Sequence, residues 1–275
     1  MKYKIIVDSS SDLLNNHIVD ESVGFEVIPL SIYVDNVEFI DNDSLNCREL
    51  LTSIKNSTAK ASTSCPSPQL FINACTADYN FIVTISSKLS TTYNCACLAA
   101  NLIEDNKEVF VIDSLATSGA IALITEKLYE LIKKDMAYDD ICKEIMNYRN
   151  NNYFFFILDD FQNLIKNGRM TKLTAVFAKL TFIKPICIAE DGEIKIHKII
   201  RTKKRALLTL IEEIKNLNID FSDRKCIITH CFDEDNAALL KMLLEQEINF
   251  KDIQINTTRG LCSFYALDKG LLISF

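Results

Sequence analysis

The sequence predicts an α/β protein whose first half holds a largely parallel sheet and whose second half holds a mixed sheet. In the first half, apolar runs of four to six residues alternate with longer patterns of helical spacing, as in βαβ units. The runs are apolar throughout, which is typical of strands covered on both faces. In the second half, a turn dipeptide lies between two such runs, which indicates a hairpin among the helices.

Three strand candidates of the first half end at polar residues. The run KYKIIV ends at Asp8, NFIVTI ends at Ser86 and EVFVI ends at Asp113. Each run is followed by a cluster of hydroxyl residues and then by a helical pattern. The clearest helix, GAIALITEKLYELIKK at 119–134, has lysines in its last turn, which suit the helix dipole.

A domain boundary is predicted where the composition changes from polar to aromatic, around 147–160. Two helical patterns follow it. Asn167-Gly168 is typical of a helix C-cap, and Thr171 is suited to cap the second helix.

Next along the chain, Asp191-Gly192 predicts the turn of a β-hairpin, and a helix is expected from Thr202. Because hairpins and helices are mixed here, we expect a mixed sheet.

Composition and charge exclude several classes of protein. A net charge of −7 disfavours general nucleic-acid binding and docking on an anionic membrane. No apolar run reaches the roughly 18 residues of a membrane-spanning helix. The ten cysteines lack zinc-site spacing, and the three histidines are scattered. We therefore expect a cytoplasmic protein with reduced thiols, no metal site, no nucleic-acid partner and no stable membrane insertion.

Clusters of hydroxyl residues are the main candidates for a functional site. Three of them follow strands: DSSSD from Asp8 to Asp12, SSKLSTT from Ser86 to Thr92, and DSLATS from Asp113 to Ser118. A fourth, STSCPSP from Ser62 to Pro68, lies on a loop before a predicted helix. Hydroxyls and helix N-terminal amides bind anions, so the sequence predicts a site for a carboxylate or phosphate. The alternative is that these residues only cap helices and form turns.

The same segments resemble motifs of the DegV family. VDSSSDL resembles the opening of that family, TSCPSP its TSQPS motif, and ISSKLSTTYNCA its ISSKLSGTYQSA segment. VIDSLATSGA, LIKNGRMTK, IKPICIAEDGEI and RTKKRAL follow in the family's order. The resemblance spans essentially the whole chain, and the motifs together are highly specific.

The resemblance implies a DegV-like fold of two α/β domains. Residues 1–155 would form a three-layer domain with a mainly parallel sheet and the head-group site, and residues 156–275 would close over an acyl chain with a mixed sheet. The ligand implied is a long-chain fatty acid buried between the domains, with its carboxylate on Thr63 and Ser90; no cofactor is implied. Some members present this acid to a fatty-acid kinase, so the chain would be a carrier and not an enzyme.

Further candidate ligand-binding residues lie beside these two positions and in the C-terminal motif. Beside Thr63 and Ser90 they are Ser64, Ser87 and Thr91, and Thr91 replaces a family glycine, which would crowd the head-group pocket.

The C-terminal family motif THTGPG corresponds to TTRGLC at 257–262, where Thr258 replaces the family histidine. We hypothesise that the next residue, Arg259, makes a charge-assisted contact to the ligand; the alternative is that it points to solvent. A second hypothesis is that this member binds lipid but has lost its coupling to a kinase.

Basic residues open the helix predicted from Thr202. Cations in a first turn oppose the helix dipole, at a cost of about 0.3–1 kcal/mol each. We interpret Arg201, Lys203 and Lys204, with Arg169, as a docking surface for an acidic partner such as a kinase. The alternative is a solvated basic face.

The residues alone are compatible with two other functions. One is an enzyme acting on a small carboxylate or phosphate substrate, with Ser86 or Ser90 as nucleophile and Asp8 and Asp113 as acid and base. The chain has no G-x-S-x-G motif, and no histidine is placed by motif beside either serine. The other is a degenerate lipid-binding or regulatory module.

Overall fold

The computed structural model describes residues 1–103, 107–170 and 183–275. It is an α/β fold with one parallel sheet and one mixed sheet, so the predicted fold class is confirmed. The strands are β1 (Tyr3–Asp8), β2 (Val23–Ile28), β3 (Ser31–Val34), β4 (Val37–Ile40), β5 (Ser62–Ser64), β6 (Tyr79–Thr84), β7 (Glu108–Asp113), β8 (Phe154–Ile157), β9 (Ile186–Glu190), β10 (Glu193–Lys198), β11 (Lys225–His230), β12 (Asp252–Thr257) and β13 (Leu271–Ser274). The helices are α1 (Cys47–Asn56), α2 (Pro68–Ala74), α3 (Thr92–Leu102), α4 (Gly119–Lys133), α5 (Tyr138–Asn150), α6 (Gln162–Lys166), α7 (Lys203–Lys215), α8 (Glu234–Glu247) and α9 (Gly260–Ala266).

The first sheet has the order β2-β1-β6-β7 and is parallel throughout. Its strands are apolar on both faces because both faces are covered. Ile5 and Val7 of β1 pack in the core formed with α4, whereas Ile6 packs with α2 and α3 on the other side. The first half of the chain is therefore a three-layer arrangement.

The second sheet has the order β10-β9-β8-β13-β11-β12, and only β11 and β12 pair in parallel among its described strands. The predicted hairpin is confirmed between β9 and β10. Its turn places Asp191 and Gly192 at positive φ (49° and 80°), as a two-residue hairpin requires. A Cβ at position 192 would lie 2.5 Å from the Ser86 hydroxyl oxygen, so this turn approaches the first half of the molecule closely.

The aromatic run of β8 contributes to two different cores. Phe155 and Ile157 pack with α7 and α8, while Phe154 and Phe156 point to the opposite face, toward α6 and α9. This alternation follows from the two-residue period of a strand. It brings two phenylalanine rings to the side of the sheet that faces the first half of the chain.

Helix α4 joins the two halves, because it packs on β1 and β6 of the first sheet and on β11 and β13 of the second. Its first residue, Gly119, lies so close that a Cβ there would be 3.0 Å from Ile227 and from the Ser274 hydroxyl. A third, antiparallel sheet of order β4-β3-β5 pairs Thr63 with Ile32. This pairing holds Thr63 in the third sheet.

The structure confirms two of the predicted helix ends. Helix α6 ends at Lys166, and Gly168 adopts a φ of 78°, which confirms the Asn167-Gly168 terminus. Thr202 caps α7 by accepting a hydrogen bond from the Arg205 amide at 3.3 Å. The cap predicted at Thr171 lies outside the described residues. The predicted boundary after residue 155 falls within β8, and the division into two domains stays a prediction.

No helix in the ranges that the structure describes is long and apolar enough to cross a membrane.

Candidate binding site

An apolar cavity lies between the two halves of the molecule. Including its open mouth, it has a volume of about 740 Å³. Helix α9 and strand β8 supply much of its wall. The described residues that line it are Leu30, Thr63, Ile85, Leu89, Ser90, Ala116, Thr117, Phe154, Phe156, Leu158, Leu164, Arg169, Ala189, Ile194, Leu261, Cys262, Tyr265, Ala266 and Leu272.

The mouth of the cavity continues into an open polar cleft. The described residues that line this cleft are Thr63, Ser64, Cys65, Ser87, Lys88, Leu89, Ser90, Thr91, Asn167, Gly168 and Arg169. Four of them also line the apolar cavity, and three of these four are polar: Thr63, Ser90 and Arg169. The structure therefore brings Thr63 and Ser90 together where an apolar space meets a polar one.

Thr63 and Ser90 are held by different elements. Thr63 lies in β5, and its hydroxyl is 3.0 Å from the hydroxyl of Tyr265 on α9. Ser90 lies in the turn between β6 and α3, where its amide donates to the Ser86 carbonyl at 3.1 Å. Its hydroxyl is 2.8 Å from the Thr92 hydroxyl and accepts from the Thr92 amide at 3.3 Å. Both residues are half-buried, and each hydroxyl has a hydroxyl partner that holds it in place.

Arg169 and Tyr265 complete the mouth. The Arg169 Nε donates to the Leu89 carbonyl at 3.0 Å, and its guanidinium carbon is 5.8 Å from the centre of the Tyr265 ring. Burial raises the pKa of Tyr265 above its usual value, so its phenol is neutral and keeps a proton to donate. A cation, a phenol and two aliphatic hydroxyls thus surround one opening, which is chemistry suited to a carboxylate.

The other candidates near these positions line only the cleft. Ser64, Ser87 and Thr91 belong to its wall and not to that of the apolar cavity. The Ser87 amide donates to Asp113 at 3.1 Å, and the Thr91 hydroxyl donates to the Cys65 thiol at 3.1 Å. Ligand binding by these three residues stays a prediction.

Neither Thr258 nor Arg259 is among the described residues that line the cavity or the cleft. Thr258 is buried, and its hydroxyl is 2.7 Å from that of Ser263. The Arg259 guanidinium donates to the Asn42 carbonyl at 2.7 Å instead of facing the mouth. The segment 257–262 therefore runs from the end of β12 into the first turn of α9, and the structure does not bring these two side chains to Thr63 and Ser90.

The predicted docking residues fall into three environments. Arg169 lies in the mouth. Lys203 lies within 3.3 Å of the carboxylates of Asp159 and Asp233, and its side chain is only 16% exposed. Arg201 and Lys204 are exposed, and neither is among the described residues that line the cavity or the cleft.

Several residues of the hydroxyl clusters serve the backbone, as the alternative interpretation holds. Asp8 accepts from the Ile85 amide at 2.7 Å, and Asp113 accepts from the Ser87 amide, so the ends of three neighbouring strands are tied together. The Ser86 hydroxyl donates to the Gly192 carbonyl at 2.8 Å. The clusters do meet at one edge of the sheet, but only part of each faces the cavity.

Three carboxylates are buried behind this edge. Burial raises the pKa of Asp8 to about 6 and that of Asp12 to about 7, and it also raises the pKa of Asp41. Asp12 accepts from Ser118 and from the Arg259 amide, each at 2.5 Å. Asp41 accepts from the amides of Gly260 and Leu261 at 2.8 Å, which anchors the first turn of α9.

Groups for nucleophilic or metal chemistry are not assembled at the mouth. His17, His197 and His230 all lie in the described part of the chain, and none lines the cavity or the cleft. The hydroxyl of Ser90 pairs with that of Thr92, and Ser86 donates to a carbonyl, so neither serine has an adjacent base among the described residues. Residues 1–103, 107–170 and 183–275 contain no group of three or more metal-ligating side chains.

Tyr265 and Asn167 are two polar residues of the site that were not predicted from the sequence. The Asn167 side-chain Nδ2 donates to the Ala61 carbonyl at 3.2 Å, which ties the α6 terminus to the residue before β5. Tyr265 lies 202 positions from its partner Thr63. A weak signal for Tyr265 exists, since its segment GLCSFYA is apolar apart from Ser263 and this phenol, and a buried phenol usually has a hydrogen-bond partner.

Comparison with known proteins gives matches over the full length. A family model for uncharacterised proteins of the DegV family matches residues 2–271. A DegV domain-containing protein of Streptococcus gordonii is 32% identical over 280 residues, covering 100% of this chain and 99% of the relative. A crystal structure of a DegV family protein from Ruminococcus gnavus with vaccenic acid is 31% identical, with a TM-score of 0.92 and coverage of 100% and 99%. The Streptococcus pneumoniae Fatty Acid Kinase (Fak) B3 protein loaded with linoleic acid is 30% identical, with a TM-score of 0.93 and the same coverage. With its family motifs in order and its fold and length matched, this chain belongs to the DegV family.

Proposed function

We propose that this protein binds a long-chain fatty acid, with the acyl chain in the apolar cavity and the carboxylate at Thr63 and Ser90. The observation that supports this most directly is the junction itself, where an apolar space ends at two hydroxyls and a guanidinium. A fatty acid has the same division between a long apolar tail and one anionic end. The relatives with vaccenic and linoleic acid give independent support.

Tyr265 and Arg169 are proposed as further contacts of the carboxylate. The Tyr265 hydroxyl already lies within hydrogen-bond distance of Thr63, so a carboxylate oxygen that accepts from Thr63 would lie near both. Arg169 adds a positive charge at the same opening, and hydrogen bonds between ionised groups are the stronger ones.

The binding function is tested by native mass spectrometry of protein purified without detergent, followed by solvent extraction. We expect a co-purifying fatty acid in a one-to-one complex. Protein that arrives without ligand should take one up on incubation with saturated and unsaturated long-chain acids. A spectrum that stays free of ligand after both incubations would contradict the proposal.

We further propose that the protein is a carrier, not a catalyst, and that it presents the carboxylate to a fatty-acid kinase. The polar cleft supports this, because a carboxylate at Thr63 and Ser90 would face the cleft while its tail would lie in the apolar cavity. The absence of a base beside Ser86 or Ser90 in the described residues favours binding over nucleophilic catalysis. The opposing hypothesis, a lipid-binding module without kinase coupling, is favoured by Thr258, which is turned toward Ser263.

Arg201 and Lys204 are the residues whose charge we expect to matter for docking a kinase. The Arg201→Glu/Lys204→Glu variant should bind a bacterial fatty-acid kinase about tenfold or more weakly, since rim charges act mainly through attraction of the partner. Its unfolding midpoint and fatty-acid content should be unchanged. Binding is measured by biolayer interferometry at two salt concentrations.

The control variant is Lys143→Glu/Lys251→Glu, which reverses two exposed charges outside α7. If both variants lose kinase binding equally, the loss is caused by the change in net charge and not by this surface. If the Arg201→Glu/Lys204→Glu variant binds the kinase as tightly as the unaltered protein, these two residues do not dock it. Lys203 is unsuitable for the test because its loss would remove the described ion pair of Asp233 and one of the two described ion pairs of Asp159, whose other partner is Lys184.

A further inference from the structure

Two cysteines face each other beside the mouth of the binding site. The Sγ atoms of Cys65 and Cys95 are 3.6 Å apart, which is van der Waals contact. A disulfide has an S–S length of about 2.05 Å, so closing the bond needs a relative shift of roughly 1.5 Å. Cys65 directly follows β5, and Cys95 lies in the first turn of α3.

The surroundings of Cys65 differ from those of the core thiols. Cys65 lines the open cleft and is half-exposed, whereas Cys187, Cys226 and Cys262 are buried. All ten cysteines lie in the described residues and are free thiols. A reagent arriving through the cleft would therefore meet Cys65 before it could reach the core.

The contacts of the pair assign different roles to the two sulfurs. The Thr91 hydroxyl donates to the Cys65 Sγ at 3.1 Å, which holds this sulfur in the cleft wall beside the turn that leads into α3. Burial, followed by the neighbouring Cys65 thiol, raises the pKa of Cys95 to about 11, so Cys95 stays protonated. Cys65 lines the cleft and Cys95 does not, so an oxidant reaches Cys65 first; Cys65 is then the attacking sulfur and Cys95 the resolving thiol.

We propose that a hydroperoxide converts Cys65 and Cys95 into a reversible disulfide, and that this bond fixes the mouth between β5 and α3. With hydrogen peroxide, the Cys65 thiolate attacks one oxygen, the O–O bond breaks, and the protonated leaving oxygen departs as water. The Cys95 sulfur then attacks the sulfenic acid, the S–O bond breaks, and a second water leaves with the thiol proton. Two thiols are oxidised by two electrons and one peroxide is reduced. A dithiol reverses the reaction.

The bond would act on the two residues that hold the carboxylate. Thr63 lies on β5, two positions before Cys65, and Ser90 lies in the turn that leads into α3. A link between these elements restricts the opening through which a bound acid leaves. This consequence rests on the proposed fatty-acid binding, whereas formation of the disulfide does not.

The bond itself is tested on the whole protein by peroxide titration, alkylation under denaturing conditions and mass analysis. We expect the mass of two hydrogens to be lost and a linked peptide pair to contain Cys65 and Cys95. Cys65→Ser and Cys95→Ser should each abolish the link, and Cys97→Ser should retain it. Conversion of Cys65 to a sulfinic acid without a link, or a link between other cysteines, would overturn the proposal.

The effect on the mouth is tested by the release rate of a fluorescent fatty acid. We expect about tenfold slower release from the disulfide form than from the same protein after dithiol reduction, since the exit needs local opening. The Cys95→Ser variant should release at one rate with and without peroxide. Equal rates for the oxidised and reduced protein would overturn the role in closing the mouth. A protein that binds no acid but forms the link would refute the proposed function alone.

Discussion

The Thr63→Ala/Ser90→Ala variant is expected to bind a long-chain fatty acid at least about a hundredfold more weakly than the unaltered protein. Each hydroxyl would donate to an ionised carboxylate, and a hydrogen bond of that kind contributes roughly 1.5–3 kcal/mol. Binding should weaken and not vanish, because each buried methylene of the tail still contributes about 0.8 kcal/mol. Affinity is measured by displacement of a fluorescent fatty acid.

The methyl ester of the same acid separates loss of the head-group contact from damage to the cavity. The ester has no carboxylate, so the variant and the unaltered protein should bind it within about threefold of each other. Thr52→Ala is the matched control, since Thr52 is an exposed hydroxyl residue on α1 outside the cavity wall. If the acid and the ester lose equal affinity, the two hydroxyls shape the cavity and do not hold the carboxylate.

Local patterns in the sequence are sufficient to predict much of the fold. The hairpin at Asp191-Gly192 follows from two residues that tolerate positive φ, and helix α4 follows from the spacing of its apolar residues. The hydroxyl clusters are predictable as a group, because the carboxyl ends of parallel strands lie at one edge. Which members face the cavity is decided by the backbone hydrogen bonds that they already make, and a linear pattern does not contain that information.

The site also depends on contacts between distant parts of the chain, which sequence patterns do not predict. Tyr265 pairs with Thr63 across the two halves of the molecule. Lys203 looks like a docking cation in the sequence but neutralises Asp159 and Asp233 in the fold. Arg169, predicted as part of the same docking surface, lies at the mouth because α6 ends beside the turn that contains Leu89. Charge is thus readable from the sequence, whereas the partner of each charge is set by tertiary packing.

Gly260, the glycine that the C-terminal motif retains, has a structural explanation at the start of α9. Asp41 accepts from the first two amides of this helix, and Asp12 accepts from the amide before them. A Cβ on Gly260 would lie 2.5 Å from an Asp41 oxygen, so glycine is required where the carboxylate approaches. Because α9 holds Leu261 and Tyr265 in the cavity wall, these buried carboxylates support the binding site from behind.

Ionisation of Asp12 is expected to lower the free energy of unfolding as the pH rises from about 4 to about 7. Its pKa is 3.8 in the unfolded chain and about 7 in the folded protein, so over this interval the folded state binds more protons. The sign is therefore a loss of stability with rising pH, up to about 1.4 kcal/mol per pH unit for one group. Asp8, with a pKa of about 6, adds a loss of the same sign that is complete at lower pH.

Asp12→Asn isolates this contribution, because an amide can accept from the Arg259 amide and donate to Ser118 as the protonated acid would. His17 acts with the opposite sign, since burial lowers its pKa, so the relevant quantity is the difference between variant and unaltered protein at each pH. Urea unfolding should show the variant gaining a few kcal/mol relative to the unaltered protein between pH 4.5 and 7.5. A constant difference for Asp12→Asn would mean that Asp12 ionises with an ordinary pKa, and that α9 rests on a charged carboxylate throughout this range.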